Sequence, residues 1–188
     1  MVNQFQQIFE KKNDTTESLP KGEYEACIFK QCDLAQQDLS DYSFIDCQFH
    51  DCNLSLVKIG NTKWQNVSFK DCRLQGLHFE YANPFLFEVH FENCFLNLSS
   101  FYQRQMKKAQ FQHCSLHEVD FSQANLSEAN FEDCDFLNAQ FDQTNLEKAD
   151  FRTSFHFDIN PQSNRIKKAK FSKNSLAGLL TSFGIIID

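Results

Sequence analysis

Glycine and proline are scarce in this chain, five and three of 188 residues against 22 phenylalanines. Basic side chains are also in deficit: 18 Lys and Arg against 25 Asp and Glu give a net charge of −7. A nucleic-acid-binding domain normally presents a basic patch, so direct binding of nucleic acid is not expected. No apolar run approaches the ~18 residues of a membrane-spanning helix, so no membrane partner is expected either. The opening MVNQFQQIFEKKND lacks the apolar stretch of a secretion signal, which makes the cytoplasm the expected location. There is no glycine-rich phosphate loop. Without a secretion signal, the eight cysteines point to free thiols or a metal site rather than disulfides. The length suits one domain with a real core.

What the chain has is a repeat. Stepping by fives from Tyr24 gives Tyr24, Phe29, Leu34, Leu39, Phe44, Phe49, Leu54, Ile59, Trp64, Phe69, Leu74 and Phe79. The phase slips by two residues within about 80–85. It resumes at Leu86, Phe91, Leu96, Phe101, Met106, Phe111, Leu116, Phe121, Leu126, Phe131, Phe136, Phe141, Leu146 and Phe151. A period of five is neither the helical 3.6 nor the strand's 2. It fits a chain that turns a corner every five residues, so that four sides close one coil. Coils stacked as parallel strands lie ~4.8 Å apart. The central residue i and residue i−2 point inward, and the other three face solvent.

Reading every fourth centre tests this. The first side is Phe29, Phe49, Phe69, Phe91, Phe111, Phe131 and Phe151, and the second begins Leu34, Leu54, Leu74, Leu96, Leu116. The third holds Leu39, Ile59, Phe79, Phe101, Phe121 and Phe141; the fourth holds Tyr24, Phe44, Trp64, Leu86, Met106, Leu126 and Leu146. Like stacks on like, as in a solenoid with continuous apolar ladders. All eight cysteines fall at i−2. Cys32, Cys52, Cys72, Cys94, Cys114 and Cys134 form one ladder, while Cys27 and Cys47 begin a neighbouring one that continues with valine and alanine. Zinc sites need thiolates converging on one point, whereas a ladder sets them in a row. Burial as small hydrophobes is therefore expected, with no metal and no cofactor.

The units Ala124-Asn125-Leu126, Ala129-Asn130-Phe131 and Ala149-Asp150-Phe151 resemble the A(D/N)LXX consensus of the pentapeptide-repeat family, over about Leu19 to Phe171. The resemblance implies an all-β fold, a right-handed quadrilateral parallel β-helix. The segment Asp158–Ile166 and the tail Leu179–Ile187 are similar to the ends of the Qnr quinolone-resistance and microcin-immunity branch, to which MfpA also belongs. That likeness implies a rod resembling DNA in width and charge that acts on bacterial type II topoisomerases, DNA gyrase and topoisomerase IV. It also implies a homodimer joined at the C-terminus. The alternative is a scaffold for an unrelated partner.

Three regions are expected. Residues 1–18 form a cap or irregular segment: Phe5, Ile8 and Phe9 have helical spacing, although Phe9 is also in phase with the coils. Residues 19–171 form the β-helix, with a looser turn at 152–165. Residues 172–188 form a capping and dimerisation segment, a short helix over Ser175–Phe183 stopped by Gly184 and a strand at Ile185–Ile187. Its apolar side chains, Leu176, Leu179, Leu180, Phe183, Ile185, Ile186 and Ile187, are the expected dimer contacts. Charge sorts by region: 24–151 holds 19 acidic and 9 basic residues, and 152–188 holds two acidic and six basic. A dimer would be an acidic rod with a basic waist.

Of the candidate chemistries, catalysis has the least support. His50, His78, His90, His113 and His117 fall at outward positions, none in a recognisable triad, so no catalytic residues are assigned. Asp46, Asp51, Asp71, Glu92, Glu132 and Asp133 point outward, either for solubility or to imitate phosphates and steer a DNA-binding partner onto the rod. Arg104 occupies an inward slot. Either a bulged corner lets it reach solvent or the break marks a contact site.

Overall fold

The computed structural model describes residues 1–11 and 19–186. It is a four-sided parallel β-helix. One sheet has the order β1 (Val2–Phe5), β3 (Gly22–Glu25), β5 (Ser43–Ile45), β7 (Lys63–Gln65). The other runs β2 (Ile8–Glu10), β4 (Ile28–Lys30), β6 (Gln48–His50), β8 (Val67–Lys70), β9 (Val89–Glu92), β10 (Gln110–Gln112), β11 (Asn130–Glu132). Other faces are held by single parallel bridges, such as the succession Asp33, Asn53, Arg73, Phe95, Ser115, Asp135, Phe155. Phe29 pairs with Phe49, and across the insertion Phe69 pairs with Phe91.

The parallel register makes the core. Phe111 stacks on Phe91 at 5.0 Å and on Phe131 at 5.1 Å, and Phe101 stacks on Phe121 at 5.3 Å. Rings of adjacent columns meet edge to face, as Phe101 and Phe111 do at 89°. Strand spacing therefore delivers the offset-stacked and T-shaped geometries that aromatic pairs prefer. All eight cysteines are buried and none is in a disulfide. Each listens to the backbone instead: Cys72 Sγ donates to Phe49 O at 3.3 Å and to Lys70 O at 3.2 Å. Burial pushes the Cys47 thiol up to about 12.

The corners have a fixed backbone conformation. The residue at i+2 adopts left-handed backbone in turn after turn, with φ 54° at Asp46, 52° at Asp51 and 55° at Asp71. Short polar Asp and Asn tolerate that conformation best among residues with a Cβ. Gly76 takes such a corner at φ 69°, where a Cβ would lie 2.7 Å from Leu56.

Three expectations change. Residues 2–10 are not a helical cap. They form β1 and β2, with Phe9 stacked on Phe29 at 4.9 Å and Phe5 and Ile8 exposed. The corner at Gln6 (φ 51°) puts the segment in coil phase, and 12–18 lie outside the described residues. Second, Leu86 is not an inward centre: it sits at a corner (φ 53°) and is 64 % exposed. Phe87 packs in its place, 6.1 Å from Phe79. Asn83 Oδ1 accepts the Phe85 N–H at 2.9 Å, and exposed Pro84 lacks an N–H, so the chain leaves the ladder there. The same shift recurs at the looser turn, where exposed His156 (φ 58°) is followed by buried Phe157. Third, the C-terminal segment forms 3-10 turns over Lys173–Leu179 and Thr181–Phe183. The segment docks so closely that Gly178 O accepts from Ile159 N at 2.8 Å and a Cβ on Gly178 would meet Phe157 O. Gly184 ends the second turn at φ 61°. Among the described residues Ile185 and Ile186 pair with no strand, and Ile187 lies outside them.

Candidate interaction surface

The six acidic candidates do not form one cluster. Asp51, Asp71 and Asp133 occupy the corner between the first and second sides, in one column with Asn93 and His113. Glu92 and Glu132 end β9 and β11 beside that corner. Asp46 stands on the corner between the fourth and first sides, where Asn66 Nδ2 donates to it at 2.6 Å.

Several of these charges are answered locally. Lys70 Nζ lies 2.6 Å from Glu92 Oε1, a contact that raises the lysine's pKa. His113 Nδ1 is 3.5 Å from Asp133 Oδ2, Asn93 Nδ2 donates to Asp71 at 3.1 Å and Gln112 Nε2 to Glu132 at 3.2 Å. Among the described residues, the Asp51 carboxylate has no side-chain partner. His113, Glu132 and Asp133 also offer ligand atoms within 4.8 Å of one another, all on exposed residues.

Reading outward positions one at a time missed a second grouping. His117 Nε2 and His156 Nδ1 each lie 2.8 Å from the Asp135 carboxylate. Burial pushes the Asp135 carboxyl up, but bonds from the two imidazoles outweigh it and hold the group below the usual carboxylate range. A cleft of about 520 Å³ runs between this trio and the acidic corner, lined by Asp71, His113, His117, Asp133 and Asp135. The signal was present in the sequence: His117 follows a second-side centre and Asp135 precedes the next one, which the coil stacks together.

Arg104 does not reach solvent. It is 6 % exposed, with Nε donating to Phe79 O at 2.6 Å and Nη2 donating to Ala82 O. Its guanidinium stands 4.9 Å from the centre of the Phe87 ring. Burial lowers its pKa, opposed by the Glu80 charge. The arginine thus fills the space that the insertion opens and supplies a donor to Ala82 O, which among the described residues has no backbone donor, while Phe79 O already accepts the Ala82 N–H.

At the C-terminus, Leu176, Phe183, Ile185 and Ile186 are exposed, Ile186 by 90 %, while Leu179 and Leu180 are half-buried. Among the described residues, no helix is long and apolar enough to cross a membrane.

The family model for the pentapeptide repeat region matches residues 23–83 and 85–179. No curated protein matches the chain in sequence. Among solved structures, full-length QnrB1, a plasmid-mediated fluoroquinolone resistance protein, is similar at a TM-score of 0.53 and 16% identity, over 98% of this chain and 100% of that one. A trypsin-treated QnrB1 is similar at 0.51 and 20% identity, over 100% of both chains. These likenesses are likenesses of fold.

Proposed function

The chain belongs to the pentapeptide-repeat family, and on that premise we propose that it is a non-enzymatic acidic rod that takes the place of DNA on a bacterial type II topoisomerase, gyrase or topoisomerase IV. It would act in the cytoplasm as a homodimer joined through its C-terminal segment. The observation that carries the reading is the column of carboxylates at one corner. Asp51 and Asp71 stand on adjacent rungs, Asp133 lies further along, and Glu92 and Glu132 stand beside them. Rungs repeat at ~4.8 Å, the same order as the ~3.4 Å phosphate rise along one DNA strand. That QnrB1 is a fluoroquinolone resistance protein supports the choice of target.

The local pairing of Glu92 and Asp133 favours a second reading. Paired charges project a weaker field, as suits a scaffold for an unrelated partner. Gyrase supercoiling, measured with and without a quinolone, separates the two. Mimicry expects inhibition or rescue at low protein concentration, competition with DNA, and weakening as salt shortens the reach of charge to ~8 Å. The variant Asp51→Asn, Asp71→Asn, Asp133→Asn keeps residues suited to left-handed corners while removing the charge. It should fold normally and lose the effect. No effect of the native protein on either topoisomerase would leave the scaffold reading.

A further inference from the structure

The strand ladder of the fourth side is broken once in mid-rod. It runs through β1, β3, β5 and β7 to Lys63–Gln65, then restarts as Gln105, Asn125, Asn145 and Arg165. On the later rungs, the residue at this position exchanges two backbone bonds with the rung before it. Asn125 N donates to Arg104 O at 2.8 Å, and Asn125 O accepts from Met106 N at 2.8 Å. Asn145 and Arg165 repeat the exchange. Ser127, Glu147 and Lys167 each accept a further bond from the preceding corner N–H. Gln105 and Lys107 begin the restarted ladder. Among the described residues, the Gln105 N–H, the Gln105 C=O and the Lys107 C=O have no backbone partner. The inserted segment bonds to the rung below, Asn83 N to Thr62 O and Glu88 N to Trp64 O, and among the described residues makes no such backbone bond to the rung above.

A cleft of about 400 Å³ opens along this edge, with Leu86, Phe87, Val89, Met106 and Ala109 as its apolar lining; Glu88, whose carboxylate lies 3.5 Å from His90 Nε2, also lines it. Lys107 and Lys108 stand at its rim. Lys107 reaches Glu128 at 3.2 Å, whereas Lys108 makes no ion pair among the described residues. A short unpaired edge, an apolar slot and a rim cation on an otherwise acidic rod match the requirements for adding a strand from another chain: main-chain bonds for affinity and alternate side chains for selection. We infer that Gln105–Lys107 is a docking edge for an extended acidic peptide of a partner protein, which bonds to the free backbone groups, seats one aliphatic side chain against Leu86 and Met106, and sets a carboxylate on Lys108. The edge lies on a different side from the Asp51–Asp133 corner, so it stands or falls separately from the topoisomerase reading.

Two measurements on the intact protein test it. In hydrogen exchange of the free protein, the Gln105 amide should exchange rapidly while those of Asn125, Asn145 and Arg165 are protected. A protected Gln105 amide means the edge is closed and overturns the inference. Random short peptides displayed on phage are then selected on the protein, and synthetic copies of the enriched sequences are measured by fluorescence polarisation. Enriched peptides should combine β-branched and acidic residues and should slow exchange at Gln105. Methylating the one peptide amide that meets Gln105 O should weaken binding about three- to tenfold, the worth of one backbone bond. Lys108→Glu, at an exposed position, should also weaken it. Failure to enrich any peptide, or enriched peptides indifferent to both changes, overturns the inference.

Discussion

Truncating Phe111 to alanine puts the ladder under direct load. The ring is fully buried, stacked between Phe91 and Phe131 and met edge-on by Phe101 at 5.9 Å and Phe121 at 6.1 Å. A phenylalanine buries ~150–250 Å². At ~25 cal/mol per Å² the transfer loss is about 4–6 kcal/mol for the whole side chain, less the part that alanine keeps. Denatured chains already bury part of that area, which lowers the figure, and an uncollapsed cavity raises it. The four flanking rings are tied to their rungs by backbone bonds and cannot close the gap, so the cost should fall at ~3–5 kcal/mol. The adjacent Gln112→Ala removes one part-buried surface bond to Glu132 and should cost under ~0.5 kcal/mol. Guanidinium unfolding followed by circular dichroism measures both. Because each coil touches only its neighbours, the damaged rung should also broaden the transition as the two halves uncouple. Equal and small losses at the two positions would refute the assignment of inward and outward residues.

The eight buried thiols should resist a thiol reagent in the native protein and all react after denaturation, since burial denies the reagent access; fast native labelling of the Cys32–Cys134 ladder would contradict this. Arg104→Ala leaves Ala82 O without its donor and opens a void beneath Phe87, so it should cost ~2–4 kcal/mol. Enhanced proteolysis within 80–88 should accompany it, and a loss under ~0.5 kcal/mol would show that the guanidinium holds nothing. Deleting 175–188 removes the exposed Leu176, Phe183, Ile185 and Ile186 and should yield monomers or aggregates in sedimentation. A native protein that already sediments as a monomer would end the dimer proposal.

The fold was legible because the five-residue period survives wherever an inward side chain must match the one a coil away. That constraint acts on Phe111 and Cys114 and is written plainly at both. It is weak at Leu86 and His156, where a left-handed corner lets the following phenylalanine turn inward instead. A large apolar letter at the right spacing could not distinguish Leu86 from Phe87, because either fills the rung. At Arg104 the spacing alone leaves two readings open, a bulged corner that reaches solvent or a contact site. Its true solution, two carbonyl acceptors and an aromatic ring, depends on where the interrupted backbone goes, and no spacing encodes that. The Asp135 grouping with His117 and His156 was accessible in principle, since coil register alone makes them neighbours.

The acidic corner has to be judged against what the corner itself demands. A left-handed backbone is easier for aspartate and asparagine than for other residues with a Cβ, and the two satisfy it almost equally, although corners of this rod also carry Gln36, Leu56, Glu118 and Lys148. Asp71 and Asn93, consecutive in one column, answer the same demand with and without charge. Aspartate at a corner is therefore only partly a choice of charge. The more informative residues are those on the strands, where the backbone is extended and imposes no such preference. Glu92 and Glu132 are such residues, and Glu92 is neutralised by Lys70 at 2.6 Å. A DNA-like field from this rod must then come chiefly from unpaired corner carboxylates such as Asp51. It would be strongest toward the N-terminal half, away from the basic side chains of 152–173.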